Sequence, residues 1–268
     1  MNRSKAVGLE KVFALDMVEM ARALMARDRS WKTETFEVAD GHAVLFGPGL
    51  YVNRVLAAGL ETDVTDIELD LLEERCHAVG VPAALEINEL TLRSVVRRLV
   101  TRGYRLRNEF ASMVRVLDAR LPIPDEAIEV ERIGEGELAV WQDASAEGWG
   151  HSSSEAHRAS DAFGVAATDA LSPGLLLARS ARDGRVVGCA SLSIRDGVAS
   201  LGGMSTLPGE RRQGVQGALI AHRLRMATDA GCSTALAQCE PDRISERNLT
   251  KHGFVRIYKT AVWEAPPP

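Results

Sequence analysis

Cysteine is scarce in this chain: four residues among 268, at Cys76, Cys189, Cys232 and Cys239. None belongs to a CxxC pair, and no histidine stands at zinc-finger spacing from them, so no metal is expected. Reduced thiols in a cytoplasmic protein are the expectation. Long hydrophobic runs are missing too. None approaches the roughly 20 residues that span a bilayer, so no membrane association is expected. Near the start, Glu10, Lys11, Asp16 and Glu19 interrupt what would otherwise be a signal-peptide core, and the segment reads as an amphipathic helix. Positive charge is not in surplus: the net charge is −5 and the pI near 5.8. Nucleic acid is therefore not an expected partner. The locally basic stretch LRSVVRRLVTRGYRLR (92–107) reads as a solvated helix face.

What is present is a soluble composition, 46% hydrophobic and 26% charged, in two halves of similar plan. The expected division is residues 1–118, a linker at 119–126 where Pro122 and Pro124 bracket an isoleucine, and residues 127–268. In the second half AIEVERI predicts a strand and GEGELAVWQDASAEGW a helix. SSSEAHRASDAF predicts another helix, opened by a capping box of Ser152 and Glu155. Three β-like runs (174–181, 186–194, 198–206) turn on Asp183-Gly184 and Asp196-Gly197, the signature of an antiparallel meander. Then come an amphipathic helix with Leu219, Ile220, Leu224 and Ala227 on one face, the strand STALAQC, the short helix RISERNLTKHG and the strand FVRIYKTAVW.

The first half runs in a similar order: a helix to about Arg27, a hairpin on Asp40-Gly41, a third strand YVNRVLAAG (51–59), and then helix, strand, helix, strand. Gly103-Tyr104 and Gly253-Phe254 lie 150 residues apart. That offset sets Leu99 under Leu249 and predicts a duplicated fold.

The stretch LPGERRQGVQGAL (207–219) joins the meander to the amphipathic helix. A helix start leaves about four backbone N–H groups without partners and carries a partial positive charge. Glycine lets an anion approach the backbone, and arginine adds a fork of donors. The junction thus suits a pyrophosphate. It is not a Walker loop, since no GxxxxGK[ST] occurs. It is not a dinucleotide fingerprint either, since Gly214 and Gly217 follow an antiparallel meander and not a parallel βαβ unit.

A meander strand, Pro208, then Arg211-x-x-Gly214-x-Gln216 and an amphipathic helix resembles the GCN5-related N-acetyltransferases, whose Q/R-x-x-G-x-G/A signature binds the pyrophosphate of acetyl-CoA. ERNLTKHGF (246–254) resembles the family's next motif. The resemblance covers roughly residues 127–263, and the first half looks like a degenerate copy, an arrangement known in the family. It implies two tandem α/β (α+β) domains, each a mixed, mostly antiparallel twisted sheet flanked by helices.

The resemblance further implies direct acetyl transfer from acetyl-CoA to a primary amine in a ternary complex. The acceptor would be a small molecule or a peptide. Met204, Ser205 and Thr206 would pair with the pantetheine. Arg211, Arg212, Gln213, Gly214, Val215, Gln216 and Gly217 would cradle the pyrophosphate, and Asn248 would bond the pantetheine arm. Two departures stand out. Gln216 replaces the usual glycine or alanine, and Leu249 replaces a tyrosine that often serves as general acid. The strand 198–206 also lacks the glutamate many members use as base. Tyr258 is then a candidate acid and Glu240 a candidate base. His151 lies in the segment that usually contacts the acceptor.

At the first half's counterpart junction, AAGLETDVTDIE, the residues Glu61, Asp63 and Asp66 would cap a helix and repel a pyrophosphate. One cofactor site per chain is expected, with the first half packing as a structural partner against the second or against another chain, which leaves a homodimer open. The rival reading is a non-catalytic acyl-CoA sensor or interaction protein.

Overall fold

The computed structural model describes residues 1–50, 52–118, 121–122 and 126–267. Of the expected linker, Ala119, Arg120, Ile123, Pro124 and Asp125 lie outside the described residues, as does Tyr51 of the third strand. Two compact units emerge: Met1–Ala111 with Tyr258–Pro268, and Ser112–Ile257. The units thus divide the chain differently from a cut at 119–126. The end of the last strand, expected in the second half, belongs to the first unit.

The first unit opens with α1 (Arg3–Arg27), whose N-cap Asn2 accepts from the Lys5 N–H. Strands β1 (Glu34–Val38) and β2 (Gly41–Leu45) form a hairpin with Phe36 opposite Ala43 and Val38 opposite Gly41, so it turns on Ala39 (φ +52°) and Asp40, one residue before the expected Asp40-Gly41. Gly41 is obligatory there, because a Cβ would lie 2.3 Å from the Leu56 carbonyl oxygen. The third strand, β3, is shorter than expected, covering Arg54–Leu56. Next come α2 (Asp66–Val79), β4 (Ala84–Ile87), α3 (Arg93–Thr101) and β5 (Arg105–Val116). The strand order is β1-β2-β3-β4-β11-β5, where β11 spans Val255–Glu264 and its part from Tyr258 onward lies in this unit. Only β3 and β4 pair in parallel among the registers described within this unit.

Side chains alternate across a strand. Ala43 and Leu45 join a core with Leu69, Leu72 and Cys76 of α2 and Val95 and Leu99 of α3. The intervening Val44 is also fully buried, and α1 packs on these strands.

The second unit contains β6 (Ile128–Arg132), α4 (Leu138–Trp149), α5 (Ser154–Ala170), β7 (Pro173–Ser180), β8 (Val186–Arg195) and β9 (Val198–Thr206). It continues with α6 (Val215–Asp229), β10 (Thr234–Cys239) and α7 (Ile244–Lys251). The N-cap of α5 is Ser153, which accepts from the Ala156 N–H, and not the expected Ser152. The Glu155 side chain of the expected capping box lies outside the described residues. The strand order is β5-β10-β9-β8-β7-β6, with 112–116 of β5 in this unit. The meander β6 to β9 is antiparallel, and β10 joins β9 in parallel.

Val215 and Leu219 of α6 pack on Ala178, Val187 and Ala190. From α4, the fully buried Trp141 donates its indole N–H to the Ala190 carbonyl at 3.0 Å and stacks on Phe163 of α5. These contacts clamp β8 and β9 between helices and leave the end of β9 pointing into the glycine–arginine junction.

The two glycine corners 150 residues apart have one geometry. Tyr104 N–H donates to the Leu99 carbonyl at 3.0 Å, and Phe254 N–H to that of Leu249 at 3.1 Å. Gly103 and Gly253 have φ of +79° and +78°. Leu99 and Leu249 are both buried beneath their helices.

Candidate functional site

The site begins at an irregularity in β9. Cys189 of β8 faces Ser205 and Ser191 faces Gly202, so β9 carries one residue more than its partner between those pairs. Such a bulge bends and twists its strand. Gly203 adopts φ +53°, and a Cβ there would meet the Phe163 ring at 3.0 Å. On the other side, β9 pairs with β10 through Val198, Ala199 and Ser200. The bulge follows directly, and the strand then presents Met204 and Thr206 half-buried and Ser205 buried.

Ser205 locks this segment to α4 by donating its hydroxyl to the Ala144 carbonyl at 3.1 Å. Gly148 lets the helix come that near, since a Cβ would lie 2.3 Å from Ser205 Oγ. The sequence therefore places a glycine where helix and strand touch.

Beyond Thr206 the chain makes a 3-10 turn at Pro208–Glu210 and enters the junction. Arg211 donates to the Gly148 carbonyl at 3.0 Å, and Gln213 donates to that of Gly209 at 3.1 Å. Arg212 (φ +66°) and Gly214 (φ +82°) are both left-handed, and residues 211–214 are exposed. Gly214 is the N-cap of α6 and has no side chain to cap with. The first helical hydrogen bond after it runs from Ala218 N–H to the Gly214 carbonyl, at 3.0 Å. The amides ahead of that bond lie in a helix start that no side chain caps, which is the arrangement an anion needs.

The start of α2 in the first unit is built the other way. Thr65 accepts from the Glu68 N–H while Glu68 reaches back to the Thr65 N–H, a complete capping box. Asp63 and Asp66 stand beside it, paired with Arg98 at 3.1 and 3.2 Å. Arg98 and its hydrogen bonds, outweighing partial desolvation, hold the Asp63 carboxyl below its usual range. The Thr65 and Glu68 amides are already used, and carboxylates crowd the helix start.

Helix α7 closes the second unit's junction. Asn248 donates its side-chain amide to Gln216 Oε1, so Gln216 faces α7. The departure from glycine thus ties two helices together. At the end of α7 itself, His252 Nδ1 lies 2.8 Å from the Asn248 carbonyl oxygen.

The expected acid and base fare differently. Tyr258 belongs to the first unit, where its hydroxyl donates to the buried Glu10 carboxylate at 2.5 Å. Burial, then Glu10, push the phenol far above its usual range. The hydroxyl expected as general acid is thus buried and engaged by a carboxylate of its own unit. Glu240 lies just beyond β10, 72% exposed, with Arg243 at 3.7 Å.

His151 follows α4 directly, its N–H bonded to the Ala146 carbonyl at 2.8 Å. Its Nδ1 lies 3.2 Å from Ser160 Oγ, which in turn lies 3.1 Å from Ser145 Oγ. Burial, then His157, hold the imidazole below its usual pKa. Such a ring is neutral near pH 7 and can take a proton. Ser145 and Ser160 were not singled out in the sequence, and nothing in local pattern marks them.

Arg223 was also missed. It sits four residues after Leu219 and four before Ala227, a charge inside the apolar stripe of α6. That misplaced charge was the available signal.

Residues 138–254 match the Acetyltransferase (GNAT) family. The match runs from α4 through the junction to the corner after α7. No curated protein matches the chain in sequence. Among solved structures, a GCN5-related N-acetyltransferase from Kribbella flavida is 17% identical, covering 92% of this chain and 96% of that one, with a TM-score of 0.63. A GCN5-related N-acetyltransferase from Sphaerobacter thermophilus is 18% identical over 75% of this chain and 67% of its own, with a TM-score of 0.59. A tandem GNAT protein from the clavulanic acid biosynthesis pathway is 14% identical over 85% and 79%, with a TM-score of 0.58. The fold is the mixed α/β fold of these structures, a mostly antiparallel sheet flanked by helices. Among the described residues no helix is long and apolar enough to cross a membrane, and no cluster of three or more His, Cys, Asp or Glu could hold a metal ion.

Proposed function

We propose that the second unit is an acyltransferase that moves an acetyl group from acetyl-CoA to a primary amine, both bound at once. The observation that carries this reading is the uncapped start of α6 on Gly214, at the end of a bulged strand and beside Arg211. The residues present suit the co-substrate. Amides of the 213–217 segment would take the pyrophosphate, with Arg211 and Arg212 adding charge. Met204, Ser205 and Thr206 would pair along the pantetheine, and Asn248, already oriented by Gln216, would bond its amide. The thioester supplies the activated acyl group.

The chain must still take a proton from the amine, because an ammonium has no lone pair and a free alkyl amine has a pKa of about 10. We assign that task to His151, whose neutral ring is held by Ser160, with Glu240 as the competing carboxylate. Holding acyl donor and amine together supplies much of the remaining rate. The first unit, in this reading, is a degenerate copy with a structural role, since its junction is self-capped and acidic.

The test is incubation with acetyl-CoA and a panel of amines, small molecules and peptides, read as release of free thiol. Thiol release that depends on the amine supports transfer. Binding of acetyl-CoA without release under every acceptor would leave a sensor.

A further inference from the structure

Arg223 is fully buried in the middle of α6. Its Nε donates to the Leu219 carbonyl at 3.1 Å, and Nη1 donates to the carbonyls of Ser191 at 3.0 Å and Gly202 at 3.1 Å. Its Nη2 lies 2.8 Å from the Met204 sulfur, a weak acceptor. No carboxylate pairs with it among the described residues; its partners are carbonyls and the thioether. Burial pushes the guanidinium down to about 9, still high enough to carry its charge at neutral pH. A buried charge without a counter-ion is costly, and it persists only where its donors meet a need.

The acceptors show that need. Ser191 and Gly202 face each other across β8 and β9 at the edge of the bulge. The register shifts beside this pair, and a buried carbonyl there needs donors; Arg223 supplies one to each. Met204 is the second of the two bulge residues, and pairing resumes at Ser205. One rigid, forked side chain therefore meets both strands at one edge of the bulge and a side chain of the bulge itself.

We propose that Arg223 is the positioning residue of the acyl-CoA strand: it splints the β9 bulge and so sets the direction in which residues 203–206 present their backbone groups to the pantetheine and the acyl carbonyl. The inference rests on the acyl-CoA reading of the junction for its ligand, but not for the splint itself. A methionine could fill the volume and bridge nothing. A lysine keeps the charge but offers a single point in place of the fork.

The test uses the full chain as wild type, Arg223→Met and Arg223→Lys. Amide hydrogen exchange is followed by mass spectrometry without ligand. Loss of the bridging bonds should speed exchange in peptides covering 201–206 by about tenfold or more, while peptides of β7 keep their rates. Acetyl-CoA affinity, measured by calorimetry, should fall about tenfold in parallel. The lysine variant should regain thermal stability but not the affinity. Where the methionine variant does not fold, the lysine variant carries both measurements. Unchanged exchange at 201–206, or equal acceleration throughout the sheet, overturns the splint. A variant that binds acetyl-CoA as tightly as the wild type overturns its link to the ligand. Wild-type protein that fails to bind acetyl-CoA sinks the acyltransferase reading and the ligand half of this one, while the exchange rates still decide the splint.

Discussion

The Tyr258 hydroxyl donates to the Glu10 carboxylate at 2.5 Å inside the first unit, joining residues 248 apart in sequence. Nearby, Arg54 pairs with Glu86 at 2.6 Å, both buried. Burial, then repulsion from Glu86, raise Glu10 to about 7, against the smaller opposing effects of Tyr258 and Arg54. A carboxyl whose folded pKa lies above its unfolded one holds its proton more tightly when folded. Its contribution is fully present below about 4.5 and is lost as pH rises through about 7. The gap corresponds to about 3 kcal/mol at most. Urea denaturation at pH 5 and pH 8 should show the wild type losing about 2–3 kcal/mol more than Glu10→Gln over that range. Equal losses would mean that Glu10 titrates normally.

Acetyl-CoA should bind once per chain. The start of α6 is uncapped on Gly214, whereas the start of α2 is closed by Thr65 and Glu68. Calorimetric titration should give a stoichiometry of about one. Two equal sites would refute the contrast drawn between the two helix starts.

Arg211→Ala removes both a cation and the tie to the Gly148 carbonyl. Its acetyl-CoA affinity should fall roughly five- to tenfold, with stability nearly unchanged because the side chain is exposed. Gly214→Glu should abolish binding, adding a carboxylate to the cradle and about 1–2 kcal/mol of left-handed strain. Melting temperatures measured alongside separate the two effects. If neither variant binds more weakly, the junction is only a helix cap.

Gln216 and Asn248 should behave as one unit. Each single alanine variant breaks the same bond between α6 and α7. A double-mutant cycle on stability should therefore show a coupling of about 1 kcal/mol. The alanine variant at Asn248 should also raise KM for acetyl-CoA more than the one at Gln216 does. Additive stability losses would show that the two side chains do not meet.

His151 should govern the acid limb of the pH–rate profile. Burial lowers its pKa from 6.5, so kcat/KM should fall only as pH drops below about 6.5. His151→Ala should lower kcat by roughly a hundredfold and remove that limb. Retention of the limb would transfer the role to another group, Glu240 first.

Much of the fold was legible because it is written locally. Asp183-Gly184 and Asp196-Gly197 announced their turns, Asp40-Gly41 announced the first hairpin but set its turn one residue late, and apolar spacing announced the helices. The start of α6 was legible for the same reason: Gly214 supplies a left-handed cap that few other residues tolerate. The errors also have local causes. Three consecutive serines precede α5, and cap choice between Ser152 and Ser153 depends on which hydroxyl the fold turns toward Ala156. The third strand shortened to three residues, although its apolar pattern continues on either side.

By itself, then, the sequence determined the order of helices and strands, the glycine–arginine junction, the acidic start of α2 and the like-shaped corners at Gly103 and Gly253. Each depends on backbone preference or side-chain period within about a dozen residues. The tertiary structure alone decided that the end of β11 joins the first unit, that Tyr258 meets Glu10, that Gln216 turns to Asn248 and that Arg223 spans the bulge. These are choices of partner among groups far apart in the chain. A buried donor or charge must be satisfied, but local pattern does not say by whom; only packing brings the acceptors within hydrogen-bond reach.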